Sequence, residues 1–178
     1  MITAATDGPV FTTSYAQGRA ETSVWFPLSV SAMLGLAGLF LNQLPLTAFS
    51  AFITLAAIRH WPLTDTQRAV MRLSPDGLDL DGAGRIVWAS IDSARFKEIS
   101  APKARPRYIE IKLNEPIDVA AIPMPAMRRH PWEIKPWSRR GKLRIFVHLH
   151  HLADKSDDVV GAFRHFLGAR FFDDVASN

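Results

Sequence analysis

Residues 24–58 constrain this chain more than any other stretch, because their 35 positions include no Asp, Glu, Lys, Arg or His. An α-helix rises about 1.5 Å per residue and the hydrocarbon core of a bilayer is about 30 Å thick, so one straight helix of this length would overshoot a membrane. The sequence Asn-Gln-Leu-Pro at residues 42–45 interrupts the run with two amides and a residue that lacks a backbone donor. We therefore expect a transmembrane helical hairpin with arms over residues 24–41 and 46–61.

The residue types along this hairpin also fit a membrane. Trp25 and Trp61 stand at the outer ends of the two arms, where amphipathic rings suit the headgroup layer. Gly35 and Gly38 lie among small residues at roughly helical spacing on the first arm, which favours close packing of the hairpin. A buried helical hairpin of a soluble protein is the alternative, and the lack of a polar face on either arm argues against it.

The distribution of positive charge predicts the orientation. Arg19 is the only basic residue before the apolar run, the turn has none, and Arg59, Arg68 and Arg72 follow it. Basic residues concentrate on the cytoplasmic side of a membrane. The carboxyl-terminal domain is therefore expected in the cytoplasm, whether one arm or both cross the bilayer.

Composition limits the classes of function. The chain has no cysteine, which excludes disulfides, thiolate zinc sites and cysteine nucleophiles. From Arg59 onward there are 20 Lys and Arg residues against 15 Asp and Glu, a modest basic excess. Such an excess favours contact with an anionic membrane surface over binding of nucleic acid. The segment before the hairpin is rich in Thr, Ser, Ala and Gly, so we expect it to be disordered.

After residue 61 the periodicity changes from helical to alternating, which predicts short antiparallel strands separated by tight turns. The clearest strand covers residues 142–149, where Leu143, Ile145 and Val147 alternate with polar or aromatic residues. One face of the sheet should therefore be core, and the other wet or covered. The remaining strands are expected over residues 69–74, 78–80, 85–89, 91–99 and 107–113.

The chain closes with a predicted amphipathic helix. Ser156 is placed to cap it, and Asp157 and Asp158 suit the positive end of its dipole. An apolar stripe that includes Val159 and Phe163 must be covered, and the preceding sheet is the natural partner.

The segments RLSPDGL at residues 72–78 and GRIVWASI at residues 84–91, placed between a membrane hairpin and a terminal helix, resemble a bacterial family. Its members are small membrane proteins that combine a two-helix hairpin with a pleckstrin-homology-like (PH-like) domain. The resemblance covers residues 63–171. It implies the bacterial inner membrane and a membrane-anchored α+β fold: a strongly bent, seven-stranded antiparallel β-barrel or sandwich capped by the C-terminal helix. It implies little about activity, because a fold does not fix a function.

The predicted organisation is therefore a disordered tail at residues 1–23, the hairpin at 24–61, the PH-like domain at 62–172 and a tail at 173–178. Residues 114–141 are much longer than a hairpin loop and hold five of the twelve prolines, so they form an insertion, with one more strand expected near 117–122. Tryptophans and basic residues are interleaved in this insertion, and three neighbouring basic residues lie just before or at the start of the strand predicted at 107–113. These candidates for lipid or partner contact are Arg128, Arg129, Trp132, Lys135, Trp137, Arg139, Arg140, Lys103, Arg105 and Arg107.

Two interpretations of the insertion stay open. In the first, it is a basic aromatic lip that inserts Trp into the headgroup layer or holds an anionic lipid. In the second, it is an ordinary solvated loop whose Trp side chains pack back on the sheet.

No catalytic or metal-binding motif stands out. His148, His150 and His151 form the only histidine cluster, and exposed histidines at a strand end are a simpler interpretation than a metal site. Nothing resembles a nucleophile elbow, a phosphate loop or a paired-carboxylate site. We therefore expect a non-enzymatic protein without a cofactor.

Two functions are compatible with these features. The first is a binding module whose PH-like domain recognises anionic lipid at the inner membrane. The alternative is an accessory or assembly subunit of a larger membrane complex, or a homo-oligomer, in which the hairpin and the long insertion contact protein. Nucleic acid is not an expected partner.

Overall fold

The structure is a computed structural model that describes residues 9–16, 18, 20–65, 67–98, 106–125, 129–130 and 133–174. The chain has an α+β fold and divides into two compact units. The helical unit contains Tyr15–Arg68 and His130–Ile134. The sheet unit contains Met1–Ser14, Ala69–Arg129 and Lys135–Asn178.

Two apolar helices make up most of the helical unit. A π-helical turn, Glu21–Trp25, leads into α1 (Phe26–Phe40), and α2 (Leu44–Arg59) follows a three-residue turn. Each helix has a proline in its first turn, where a missing N–H does no harm. Asn42 adopts a φ of 51° and so provides the left-handed residue on which the chain reverses. The two predicted arms are therefore helices that pack against each other.

The two helices differ in length. The continuous helix Glu21–Phe40 has 20 residues and is long and apolar enough to cross a membrane. The second, α2, is apolar but has only 16 residues, fewer than the 18 or so that a straight span usually needs. Membrane association is thus indicated by one helix, and a second crossing stays a prediction.

The first sheet of the sheet unit has five short strands in the order β1-β2-β3-β4-β7, all antiparallel. Its strands are β1 (Phe11–Thr13), β2 (Met71–Ser74), β3 (Gly77–Leu80), β4 (Gly84–Ile86) and β7 (Ala121–Ile122). Gly77 and Gly84 have positive φ, and a Cβ at either would lie within 2.4 Å of a carbonyl oxygen on the neighbouring strand. Both tight turns therefore require glycine.

The second sheet has the order β10-β5-β6-β9-β8 and is antiparallel except for the pair β10 and β5. Its strands are β5 (Ile91–Glu98), β6 (Arg107–Leu113), β8 (Trp137–Arg139), β9 (Arg144–His148) and β10 (Phe171–Asp174). The predicted alternation on β6 and β9 is confirmed. Ile109, Ile111, Ile145 and Val147 are buried on one face, and the residues between them lie on the other.

The last helix, α4 (Ser156–Leu167), buries Val159, Val160, Phe163 and Leu167 against the sheet unit. Trp88, in a 3₁₀ turn after β4, stacks on Phe166 with ring centroids 5.3 Å apart. The prediction of a terminal amphipathic helix that covers the sheets is confirmed.

Several boundaries differ from the sequence predictions. The predicted disordered tail supplies β1, because its short run Phe-Thr-Thr completes the edge of the first sheet beside β2. The strand expected near 117–122 is a helical turn, α3 (Ile117–Ala120), followed by the two-residue β7. The predicted strand 85–89 ends at Ile86, where the chain turns towards β5. The predicted tail at 173–178 overlaps the end of β10.

Candidate functional site

The outer face of the second sheet, opposite its core face, carries a group of charged side chains from β5, β6 and β9. Cross-strand registers place Arg95 beside Glu110, and Lys112 beside Arg144. Strands with one core face and one wet face alternate in this way, so the sheet pattern itself gathers charged side chains into rows.

This face forms a concave site, which we call the sheet-face cleft. It has a volume of about 470 Å³ and is lined by five cationic side chains, two carboxylates, Ser93, Ala169 and Phe172. The cations come from β5, β6, β9 and the turn after α4. They are Arg95, Lys97, Lys112, Arg144 and Arg170, and the carboxylates are Asp92 and Glu110. Five positive and two negative groups give the cleft a net charge of about +3.

Glu110 is the electrostatic centre of the cleft. Its carboxylate is buried, and it accepts from Lys97 Nζ at 2.8 Å and from Arg144 at 3.1 Å, on different oxygens. Burial works to raise the pKa of Glu110, but the hydrogen bond and charge of Lys97, with the nearby guanidinium groups, outweigh it and hold the pKa below its usual value. The carboxylate is therefore ionised at neutral pH and fixes two cations in place.

The rim of the cleft is fixed in a similar way. Lys112 Nζ lies 2.8 Å from Asp92, and its hydrogen bond and charge lower the pKa of that carboxyl. Arg170 donates to the backbone carbonyls of Trp88 and Ile91 at 3.0 and 2.8 Å. The Arg95 guanidinium lies 5.5 Å from the centroid of the Phe172 ring. The cations are thus oriented by contacts that leave the cleft positively charged.

The insertion places two of its predicted contact residues against the sheet unit. Arg129 Nε donates to Asp81 at 2.7 Å, and both side chains are almost completely buried. The Trp137 indole N–H donates to the backbone carbonyl of Asp81 at 2.9 Å. The guanidinium of Arg129 and the indole of Trp137 therefore form contacts within the sheet unit.

The other described candidates are more exposed. The guanidinium of Arg139 pairs with Asp118 at 2.8 Å, and that of Arg107 with Glu98 at 3.3 Å. Lys135 and Arg140 lie over the rings of Trp137 and Phe146 at 5.3 and 5.6 Å from the centroids. The candidates Lys103, Arg105, Arg128 and Trp132 lie outside the described residues.

Gly35 and Gly38 face the second helix of their own hairpin. A Cβ on Gly35 would lie 2.8 Å from Ser50 Oγ, and one on Gly38 would lie 2.5 Å from Thr47 Oγ1 and 2.9 Å from the Thr47 backbone nitrogen. Their lack of a side chain allows α1 and α2 to approach closely.

Polar hydroxyl groups fill the space between the same two helices. Ser31 Oγ lies 2.7 Å from the carbonyl oxygen of Ser50 and 2.6 Å from Thr54 Oγ1. Ser50 Oγ donates in return to the carbonyl oxygen of Ser31 at 2.8 Å. Each hydroxyl is thus satisfied inside the hairpin and away from its surface.

The histidine cluster lies at the end of β9. His148 Nε2 is 2.9 Å from Ser138 Oγ, and burial lowers the pKa of His148. The ring centroids of His150 and His151 are 3.9 Å apart. Among the residues that the structure describes, no group of three or more His, Cys, Asp or Glu side chains is arranged to hold a metal ion.

Sequence reasoning missed the sheet-face cleft. A signal was available, since the strict alternation on β6 and β9 assigns Lys112, Glu110 and Arg144 to the non-core face. What the sequence did not show is that β5 lies beside β6 and that the turn after α4 closes one side with Arg170.

Comparison of the chain with protein-family models, with curated proteins and with solved structures finds no match.

Proposed function

We propose that this protein is a non-enzymatic, membrane-anchored binding module of the bacterial inner membrane, with a cytoplasmic PH-like domain that binds anionic lipid. The observation that carries the proposal is the surface of the helical unit. Large apolar side chains cover it: Phe40 is 87% exposed, Leu44 81%, Met33 73% and Leu39 69%.

This arrangement suits hydrocarbon better than water. Soluble proteins rarely expose a continuous apolar patch of more than a few hundred Å². Here the outward residues are mainly apolar on both helices, while the hydroxyls of Ser31, Ser50 and Thr54 bond to one another inside. Inward polar groups and outward apolar groups are what a lipid solvent selects. Placing α1 and α2 in a bilayer removes the apolar surface from water.

The architecture of the sheet unit supports the PH-like assignment. The described residues form two five-stranded, mainly antiparallel sheets in one compact unit, where the resemblance implies seven strands, and the C-terminal amphipathic helix packs on β2 and β5. The strand-turn-strand segments that carry the resemblance form β2, β3 and β4 in the expected order.

Positive charge supports an anionic ligand. Arg139, Arg140 and Lys135 lie near the surface of the insertion, and the sheet-face cleft adds a net charge of about +3. A basic residue close to an anionic leaflet contributes about 1 kcal/mol to membrane attraction. A basic domain tethered beside such a leaflet therefore gains affinity from each of these charges.

The test uses the full chain. Alkaline carbonate should leave the protein in the membrane fraction, and native mass spectrometry after mild detergent extraction should show retained phosphatidylglycerol in preference to phosphatidylcholine. The variant Lys135→Gln/Arg139→Gln/Arg140→Gln should lose at least half of that preference. Release by carbonate would overturn the membrane anchor, and equal retention of neutral and anionic lipid would overturn lipid selectivity.

The assembly-subunit alternative is favoured by the same apolar surface, which partner helices would cover as well as lipid does. Gly35 and Gly38 contact α2 of the same chain, so substitutions at these two positions would not test contact with a partner. The outward positions Met33 and Leu36 are the ones to alter, since both are exposed on α1. A stoichiometric protein that co-purifies with the native chain and is lost with Met33→Ala/Leu36→Ala would support this alternative over lipid binding.

A further inference from the structure

We propose that the sheet-face cleft is a specific site for a phosphomonoester group, presented either by a lipid headgroup or by a small soluble molecule. This goes beyond attraction of the domain to an anionic surface, because it assigns one ligand group to one set of side chains. The set is Arg95, Lys97, Lys112 and Arg144, with Arg170 at the edge.

The charge balance of the cleft is the first argument. Exposed ion pairs in which each cation has a carboxylate partner contribute little. Here two carboxylates face five cations, and the surplus of about three positive charges is held in one concavity. Like charges held together destabilise the unliganded face, and an anion relieves that repulsion. A phosphomonoester carries a charge of about −1.5 to −2 at pH 7, closer to the surplus than the single charge of a carboxylate.

The donor geometry is the second argument. Lys97 uses one contact on Glu110, and Arg144 uses one on the other oxygen of the same carboxylate. An ammonium has three N–H donors and a guanidinium has five, so donors remain on both groups. The buried Glu110 thus orients two cations side by side without exhausting them, and oriented Arg and Lys donors suit the oxygens of a phosphate.

The size and walls of the cleft are the third argument. A volume of about 470 Å³ accommodates a phosphate with a small polar group attached. The Gly168–Arg170 turn and Phe172 form one wall. The Arg170 guanidinium holds that wall in position through its hydrogen bonds to the backbone carbonyls of Trp88 and Ile91. The site is therefore preorganised, which lowers the cost of binding.

The test uses the full chain in phosphatidylcholine nanodiscs and calorimetric titration with glycerol 3-phosphate and inorganic phosphate. Binding of glycerol 3-phosphate should weaken by about tenfold or more in Arg95→Gln/Arg144→Gln, since charge-assisted hydrogen bonds are lost. The matched control is Arg72→Gln/Lys142→Gln, which removes the same charge from exposed positions outside the cleft. The control should change the dissociation constant by less than about twofold in moderate salt.

A second variant tests the site without breaking an ion pair. Ala169 is exposed in the turn that lines the cleft, so Ala169→Glu adds a negative charge at the rim. It should also abolish binding while the near-ultraviolet circular dichroism spectrum stays unchanged.

Nanodiscs that contain phosphatidic acid distinguish the two sources of phosphate. If the lipid supplies the group, phosphatidic acid should block the binding of glycerol 3-phosphate to the native chain. Native mass spectrometry should then show phosphatidic acid bound to the native chain and not to the Ala169→Glu variant. If a soluble molecule supplies it, glycerol 3-phosphate should still bind in these nanodiscs. No binding of any phosphomonoester, or equal weakening by the control variant, would overturn the proposal. Carbonate extraction and phosphatidylglycerol retention are separate measurements, so this inference and the proposed function can fail independently.

Discussion

The helical unit and the sheet unit arrange polarity in opposite ways. In the helical unit Phe40 and Leu44 point outward, and Ser31 and Ser50 bond to each other inside. In the sheet unit the apolar residues of β3 and β6 are buried, and charged residues form the outer face of the second sheet. Polar side chains therefore lie inside the helical unit and on the outer face of the sheet unit. This contrast agrees with the proposed placement of the helical unit in lipid and the sheet unit in water, because burial of apolar area stabilises only where the outside is water.

The largest expected effect comes from the same substitution made in both units. Leu78 is completely buried on β3, so Leu78→Ala should cost about 2–5 kcal/mol of stability through lost burial and a cavity. Leu36 is 58% exposed on α1, so Leu36→Ala should stay within about 0.5 kcal/mol. Chemical denaturation of the full chain in mild detergent, followed by near-ultraviolet circular dichroism, measures both. Similar losses for the two variants would break the comparison, because Leu36 would then be packed.

A smaller effect is expected where the helices of the hairpin touch. In Gly38→Leu a side chain would meet the backbone of Thr47, so overpacking should cost about 1–3 kcal/mol and separate the helices. The chain has no cysteine, so a Ser31→Cys/Ser50→Cys pair, whose Oγ atoms are now 3.1 Å apart, reports their contact by disulfide yield. That yield should fall in Gly38→Leu.

The control for this experiment is Ala48→Leu, which introduces the same leucine side chain at an exposed position of α2. Its disulfide yield should match that of the unmodified pair. An unchanged yield in Gly38→Leu would mean that the inner face of the hairpin tolerates a large side chain, and the contrast with the sheet unit would weaken.

The elements that the sequence predicted well are those fixed by local periodicity. The stripe from Val159 to Leu167 places α4, and the alternation from Leu143 to His148 places β9, because a core face and a 3.6 or 2.0 residue repeat are written into neighbouring residues. The apolar helices follow from a different local signal, a run of 35 residues without a charged side chain that Asn-Gln-Leu-Pro interrupts at residues 42–45. Such signals need no knowledge of which strand lies beside which.

The features that the sequence did not predict depend on long-range pairing. By sequence Arg129 is a candidate for lipid or partner contact, yet in the structure it pairs with Asp81, which lies 48 positions earlier in the chain. The cations of the sheet-face cleft come from three strands and a turn, and only the order β10-β5-β6-β9 brings them together. Strand β1 likewise forms by pairing with the distant strand β2, and the residues around Phe11–Thr13 contain no pattern that predicts this pairing.

The smallest expected effect is a pH dependence that comes from the sheet unit and not from residues 24–58. Residues 24–58 contain no titratable side chain, whereas burial lowers the pKa of His148 from its ordinary value near 6.5. The unfolded chain therefore takes up a proton at His148 more readily than the folded chain. Stability should fall as the pH drops through about 6.5 and level off below the folded pKa. Thermal unfolding of the full chain in detergent at pH 7.5 and 5.5 measures this change.

The variant that isolates this effect is His148→Gln, which keeps a polar group near Ser138 but does not titrate in this range. Its midpoint should depend less on pH between 7.5 and 5.5 than that of the native chain, and His165→Gln, at a position on the exposed side of α4, should behave like the native chain. Protonation of a histidine that is buried without an acidic partner destabilises the folded chain, whereas protonation of one paired with a carboxylate stabilises it. A native chain that becomes more stable at pH 5.5, with the gain removed by His148→Gln, would therefore place a carboxylate beside His148. A carboxylate near the end of β9 would then offset part of the positive charge on the outer face of the second sheet. The contrast between that charged face and the uncharged residues 24–58 would become smaller.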